Sequence, residues 1–279
     1  MKKLFLIMLV LLSVVAQAQI TIVNPGEGNT EQPVCDKMKY VVNYDMTYMN
    51  DTTKNEPQTE MMQLEIGERC TKFYSHEKMQ KDSVIRERVK QGNYDFKGLS
   101  GGKIGWELYK GHPKDGHTAW LQTVGLNKFM VVEPVAMPDW KLVSDSVATI
   151  LGYKCQQATA NYKGRRWTVW YAEDIPIAEG PWLLAGLPGL VLRACDAQGH
   201  YVFEAKGMRQ AKEGLTITYS GSKHEEISRK EFNQEMKRYR DDVIGYIKND
   251  PRITGFKIND KTGEAVQKLK RPYNPIERE

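Results

Sequence analysis

The sequence predicts an α+β, β-rich fold: a single curved antiparallel sheet, of the half-open-barrel kind, with one C-terminal helix packed on it. Three observations carry that expectation. Short runs with apolar residues at every second position recur along most of the chain, as in strands with one covered face. Gly- and Pro-bearing turns separate them at close intervals, as in hairpins. One segment near the C-terminus joins a helix start signal to a long apolar face of helical period.

Residues 1–18, MKKLFLIMLVLLSVVAQA, combine a positive start (Lys2, Lys3), an apolar run from Leu4 to Val15 and small residues at Ala16-Gln17-Ala18. That order marks a secretory signal peptide with an A-x-A cleavage site. The mature chain is therefore expected to begin at Gln19 and to be exported to the periplasm or beyond. It is not expected to be a lipoprotein, because Gln19 is not the cysteine that lipidation requires. Residues 19–36 read as a flexible polar lead, residues 37–268 as one domain and residues 269–279 as a polar tail.

Within the domain, Tyr40, Val42, Tyr44, Met46 and Tyr48 alternate as one strand. The run Met61 to Tyr74 divides at Ile66-Gly67-Glu68 into two strands joined by a turn. His76 to Gln91 fits a helix by its charge density and a strand by Val84, Ile85 and Val89. Glycines at 98, 101, 102 and 105 predict a flexible hairpin leading into the strand Trp106 to Lys110. Phe129 to Glu133 is a strand, Pro134 to Pro138 a linker, and Trp140 to Leu142 another strand start. Cys155 to Tyr162 and Arg166 to Ala172 flank Lys163-Gly164-Arg165 as a hairpin. Trp167, Val169 and Tyr171 then point to one face and Thr168 and Trp170 to the other, which implies a sheet covered on both sides. Leu190 to Asp196 and His200 to Met208 form a further pair around Asp196-Ala197-Gln198-Gly199, and Leu215 to Tyr219 is one more strand. Ser228 and Glu231 make a capping box, and Phe232, Met236, Tyr239, Val243 and Ile247 share one face of the helix that follows, which stops at Asn249-Asp250-Pro251.

The stretch EGPWLLAGLPGLVLR, Glu179 to Arg193, is turn-rich yet apolar. Pro181 stands where the first residue of a helix would, and Gly186 where a glycine ends one. Leu187-Pro188-Gly189-Leu190 fits a type II turn with Gly189 at positive φ. Gly180, Pro181, Gly186, Leu187, Pro188, Gly189 and Leu190 are thus expected to be a structural corner that feeds the strand Leu190 to Asp196.

Composition narrows the function. The chain is 41% hydrophobic and 27% charged, and its net charge of +5 is spread among carboxylates, so no nucleic-acid partner is expected. Four cysteines, Cys35, Cys70, Cys155 and Cys195, in an oxidising compartment allow two disulfides in any of three pairings, or one disulfide and two buried thiols, or none. Gly98-Leu99-Ser100-Gly101-Gly102 matches a nucleophile elbow, but strand and not helix follows it, so a serine hydrolase is the least favoured class. His112 to His117 offers two imidazoles on a turn with no third ligand fixed by spacing, and neither metal nor cofactor is expected. Glu173-Asp174 point to opposite faces and make no carboxylate pair. No catalytic residue is assigned.

The motifs Leu151-Gly152-Tyr153-Lys154-Cys155-Gln156, Lys163-Gly164-Arg165-Arg166-Trp167, Trp170-Tyr171, Ile175-Pro176-Ile177, Gly180-Pro181-Trp182 and Gly186-Leu187-Pro188-Gly189-Leu190-Val191 occur in that order. In them the chain resembles the GLPGLI family, exported proteins of the Bacteroidota, with Val191 where the family name has Ile. The likeness runs from about Trp140 to Met208 and is diffuse before it. It implies an exported, sheet-rich protein of unknown biochemical function with no established catalytic residues. The strand order is also similar to that of the half-open barrels of periplasmic lipoprotein carriers. On that likeness the chain is expected to be a non-enzymatic envelope binding protein, with Trp170, Tyr171, Trp182, Leu184 and Leu187 as a surface for a lipid or apolar ligand. The competing expectation is an assembly factor for an outer-envelope protein, such as a surface receptor, using the same surface.

Overall fold

The computed structural model describes residues 18–19, 32–99, 101–253, 257–258 and 266–278. All of the expected signal peptide except Ala18 lies outside the described residues, as does Ser100. Among the described residues no helix is long and apolar enough to cross a membrane.

The chain is β-rich, and its main sheet is curved without closing into a barrel. A short strand β1 (Ala18–Gln19) is followed by β2 (Val34–Lys37) and by a meander of β3 (Tyr40–Tyr48), β4 (Gln58–Ile66), β5 (Thr71–Ser75), β6 (Trp106–Lys110), β7 (His117–Val124) and β8 (Asn127–Pro134). Helix α1 (His76–Lys90) interrupts it between β5 and β6. A second meander runs through β9 (Lys141–Ile150), β10 (Tyr153–Tyr162), β11 (Arg165–Ala172), β12 (Leu190–Asp196) and β13 (Tyr201–Gln210). The remaining elements are β14 (Thr216–Thr218), β15 (Glu225–Glu226), α2 (Arg229–Asp241), α3 (Val243–Lys248) and β16 (Lys257–Ile258).

The two meanders join at one seam, where β13 pairs antiparallel with β3, Tyr201 opposite Tyr48. The result is a 12-stranded sheet in the order β15-β8-β7-β6-β5-β4-β3-β13-β12-β11-β10-β9. Among the described residues only the short outermost β15 runs parallel to its neighbour. Strands β2 and β14 form a separate ribbon. Side chains from strands near both ends of the sheet meet in one core with the 175–192 corner and α2–α3, so that face is the concave one. A smaller core on the opposite face gathers Cys70, Tyr109, Leu121, Ile217 and Tyr219.

Alternation explains most of the strands. In β3 the residues at 42, 44, 46 and 48 are all buried. The β10–β11 hairpin turns on Lys163-Gly164, both at positive φ (49° and 71°), the primed turn whose twist suits two strands. Gly199 closes its turn onto the Asp196 carbonyl at 2.9 Å, while the Asp196 carboxylate accepts the Tyr201 amide. On α1, Ser75 accepts the Lys78 amide as N-cap, and none of the helix residues is buried. That settles its ambiguous sequence as a solvated helix. Residues 93–99 and 101–105 form no strand pair, so the expected hairpin is not formed by them; the Glu60 carboxylate accepts the amides of Lys103 and Ile104.

Edge strand β9 leaves Leu142 and Val147 exposed. Its pairing is broken between Val143 and Val147, where Asp145 takes φ 62°. A bulge of this kind with a charge at its tip discourages a second chain from adding to the sheet.

Four further expectations are corrected. The 179–193 corner contains no helical turn: Leu184 N–H donates to the Pro181 carbonyl at 3.1 Å, and Trp182 holds φ 54°. Gly186 does take positive φ (92°), but Gly189 does not, so the type II turn expected at 187–190 does not form, and the Leu190 amide bonds the Ile175 carbonyl instead. Gly189 is needed for closeness, since a Cβ there would stand 2.1 Å from the Ala172 carbonyl oxygen. The C-terminal helix is two helices: Asp242 leaves helical geometry and caps α3 by accepting the Gly245 amide at 3.0 Å, although Phe232, Met236, Tyr239, Val243 and Ile247 are all buried as expected. Lastly, residues 269–278 are no loose tail, because Asn274 and Ile276 are buried.

Candidate functional site

The tail is held by Arg165, the first residue of β11. Its side chain and that of its partner Asp196 are both 0% exposed, with Nη1 donating to the carboxylate at 2.6 Å. Nε donates to the Ile276 carbonyl (2.8 Å), and Nη2 to Asn274 Oδ1 (2.9 Å) and the Pro275 carbonyl (2.5 Å). The buried cation is therefore paired and has acceptors for four of its five N–H groups, the condition under which such a charge is tolerated. Tyr201 completes the anchor by donating to the Asn274 carbonyl at 2.7 Å while its ring lies under the guanidinium.

Anchored in this way, the tail becomes a wall. A chamber of about 630 Å³ opens between it, helix α2, the Lys163 turn and the β6–β8 limb of the sheet. That volume falls within the usual range of small-molecule sites. Trp106 and Trp120 form part of its apolar lining, stacked with ring centroids 4.6 Å apart. Ile104, Phe232 and Met236 extend that surface. The rings meet because β6 and β7 pair with Trp120 opposite Leu108, which leaves Trp106 as its diagonal neighbour on the same face.

The chamber's polar lining is markedly cationic, with eight Lys and Arg side chains against three carboxylates. Glu133 and Glu277 are shared by Arg229 (2.6 and 3.6 Å) and Lys163 (3.9 and 3.4 Å). Burial pushes the Glu133 carboxyl up, but the Arg229 hydrogen bond and charge, with Lys163, hold it below the usual carboxylate range. Arg240 lies over the Tyr273 ring at 4.6 Å, and its buried Nε has no partner. Burial lowers its proton affinity. Lys270 is exposed and Arg271 partly exposed on the wall. The arrangement places an aromatic surface beside excess positive charge, suited to an apolar group carrying an anion.

The residues expected to form a ligand surface lie elsewhere. Trp182, Leu184, Leu187 and Tyr171 are buried in the concave core, Trp182 at 0% exposure, with the Trp167 and Tyr162 rings 5.5 and 5.7 Å away. They fill the sheet where an open face was expected, so as a binding surface they are corrected to core. Trp170 is the exception. It is half-buried on the outer face, covered by Arg193 at 5.1 Å, which also pairs with Glu204. The His112 to His117 turn carries no converging ligand set: among the described residues no three His, Cys, Asp or Glu side chains are grouped to hold a metal.

A second polar cluster sits on the outer face of β5–β6. Glu107 accepts from Lys72 (3.2 Å), Tyr109 (3.1 Å) and Ser220 (2.7 Å). Burial opposes both charges, yet Glu107 holds the Lys72 ammonium above its ordinary value and is itself held below its own. A carboxyl depressed by folding contributes stability above its unfolded pKa and loses it as pH falls through the folded one. Glu107→Gln is therefore expected to flatten the fall of the thermal midpoint between about pH 5 and pH 3. An unchanged profile in that titration would contradict the assignment.

Nothing in the sequence at large announced the chamber. Trp106 was visible as a strand residue and Phe232 and Met236 as a helix face, but their convergence depends on pairings between distant segments. The one local signal was the tail itself, Arg271-Pro272-Tyr273-Asn274-Pro275-Ile276, whose Pro, Tyr and Ile content suits docking better than solvation.

No family model matches the chain, and no curated protein does. Among solved structures, one crystal form of PNGF-II is similar with a TM-score of 0.49 and 16% identity, over 73% of this chain and 34% of that one. A second crystal form gives 0.48 and 15% with the same coverage. The chain thus spans about a third of the length of the solved structures it matches.

Proposed function

We propose that the chain is an exported, non-enzymatic binding protein of the GLPGLI kind, and that it holds an anionic amphiphile, a single alkyl chain with a phosphate or carboxylate head, in the chamber beneath α2. The observation that carries this reading is the pairing of the stacked Trp106 and Trp120 with eight cations against three carboxylates around one 630 Å³ space. The alkyl chain gains by leaving water against the Trp, Phe232 and Met236 surface, at about 25 cal/mol per Å². The head group is drawn to the rim by the cationic excess, where Lys270 is exposed and Arg271 partly so on the tail. The resemblance in the 151–191 motifs and the signal-like start support an envelope setting.

The test is calorimetric titration with dodecyl phosphate below its micelle concentration. One saturable site is expected, weakening as sodium chloride rises because rim charges are screened. The double variant Lys270→Glu/Arg271→Glu is expected to bind at least about tenfold more weakly, equivalent to about 1.4 kcal/mol. Absence of saturable binding, or equal affinity for dodecanol, would sink the reading.

A further inference from the structure

Across the sheet from the chamber, the ribbon of β2 and β14 roofs the second core, where Ile217 and Tyr219 meet Tyr109 and Leu121. The geometry points to a disulfide between Cys35 of β2 and Cys70 at the β4–β5 turn, a covalent staple that locks this ribbon onto the sheet. Their sulfurs lie 3.1 Å apart in thiol contact. The approach is built and not incidental. The Asp36 carboxylate accepts the backbone amides of Glu68 (2.7 Å), Arg69 (2.7 Å) and Cys70 (3.0 Å), fixing β2 against the turn one residue from Cys35. Gly67 permits that contact, since a Cβ there would lie 2.4 Å from the Asp36 carboxylate.

The other two cysteines do not compete. Thr168 of β11 stands opposite both Cys195 of β12 and Thr159 of β10, so Cys155 is two strands away from Cys195 and four residues further along. Two strand spacings already amount to about 9.5 Å. A disulfide needs Cα atoms within about 7 Å. Cys70, at the β4–β5 turn, is three strand spacings from β12 in the sheet order, about 14 Å, and Cys35 lies against Cys70.

Exposure sets the order of the chemistry. Cys70 is 2% exposed and Cys35 is partly open to solvent, so Cys35 meets the oxidant. The Cys70 thiol hydrogen-bonds to Cys35 and, against the effect of burial, favours the Cys35 thiolate. With an organic disulfide such as oxidised glutathione as oxidant, the Cys35 thiolate attacks one of its sulfurs and expels a thiolate. Cys70, giving up its proton, then attacks the Cys35 sulfur of the mixed disulfide and expels the second thiolate. Two protein thiols lose two electrons, one donor disulfide gains them, and two donor thiols leave.

The experiment oxidises the full mature chain with oxidised glutathione, denatures it without reductant, titrates its thiols and maps its tryptic peptides. Two free thiols are expected, with Cys70-Thr71-Lys72 joined to the peptide ending at Lys37. The thermal midpoint should fall on reduction by roughly 5–15 °C, as for a loop of this length in a domain of this size. Cys195→Ser should leave the link and the shift intact, whereas Cys35→Ser should abolish both. Four free thiols after oxidation, or a link through Cys155 or Cys195, would overturn the assignment.

Discussion

Arg165→Ala is expected to lower the unfolding free energy by about 3–5 kcal/mol, the cost of leaving a buried carboxylate without its partner. Asp196 is fully buried and would keep only the Tyr201 amide as a donor. The same change frees the Pro275 and Ile276 carbonyls and removes one donor from Asn274, which keeps its bonds to Tyr201 and Met49, so the tail that walls the chamber is loosened. Denaturant unfolding measures the first effect, and limited trypsin cleavage after Lys268 and Lys270 the second. The double replacement Arg165→Met/Asp196→Leu separates them. Exchange of a buried ion pair for apolar residues of similar volume is often close to neutral in stability, yet neither new side chain can hold the tail. That variant is expected to unfold near the wild-type midpoint while its tail is cut faster. If its tail stays protected, Arg165 is not the anchor.

Trp182→Ala is expected to cost about 3–5 kcal/mol, as for other large aromatic truncations in filled cores. The ring is 0% exposed and packs between the Trp167 and Tyr162 rings. The backbone adds a second, opposite effect. At φ 54°, Trp182 occupies the left-handed region, which costs a residue with a Cβ about 1–2 kcal/mol and glycine almost nothing. Trp182→Gly should therefore be no less stable than Trp182→Ala, against the usual ordering in which glycine is worse. Paired denaturant midpoints decide it: alanine clearly above glycine would mean that the corner does not turn on a left-handed residue.

This corner shows how much of the fold was legible and where legibility stopped. Its Gly and Pro content and its leucines gave a buried bend feeding β12, and that is what forms. The turn types were misassigned because amides at 190 and 191 bond to carbonyls at 175 and 179, and local turn preferences carry no record of such partners. The capping box at Ser228 was legible because all its atoms lie within one turn. The break at Asp242 was missed although Asp is a favoured cap, because the apolar period continues straight through it. The chamber was the least legible feature. Trp106, Trp120, Arg229 and Tyr273 come from four separate segments, brought together by a sheet seam and by one buried arginine. Residues that did look like a ligand surface, Trp182 and Leu184, were apolar for the ordinary reason that they are core.

The central claim is that the chamber selects an anionic head on an apolar chain. It is tested most directly by comparing, in one buffer of low ionic strength, the calorimetric affinities of dodecyl phosphate and dodecyltrimethylammonium, which share a tail and differ in the sign of the head. The structure's eight cations against three carboxylates predict saturable binding of the phosphate and at least about tenfold weaker binding of the ammonium. Equal affinities, or tighter binding of the ammonium, would contradict it.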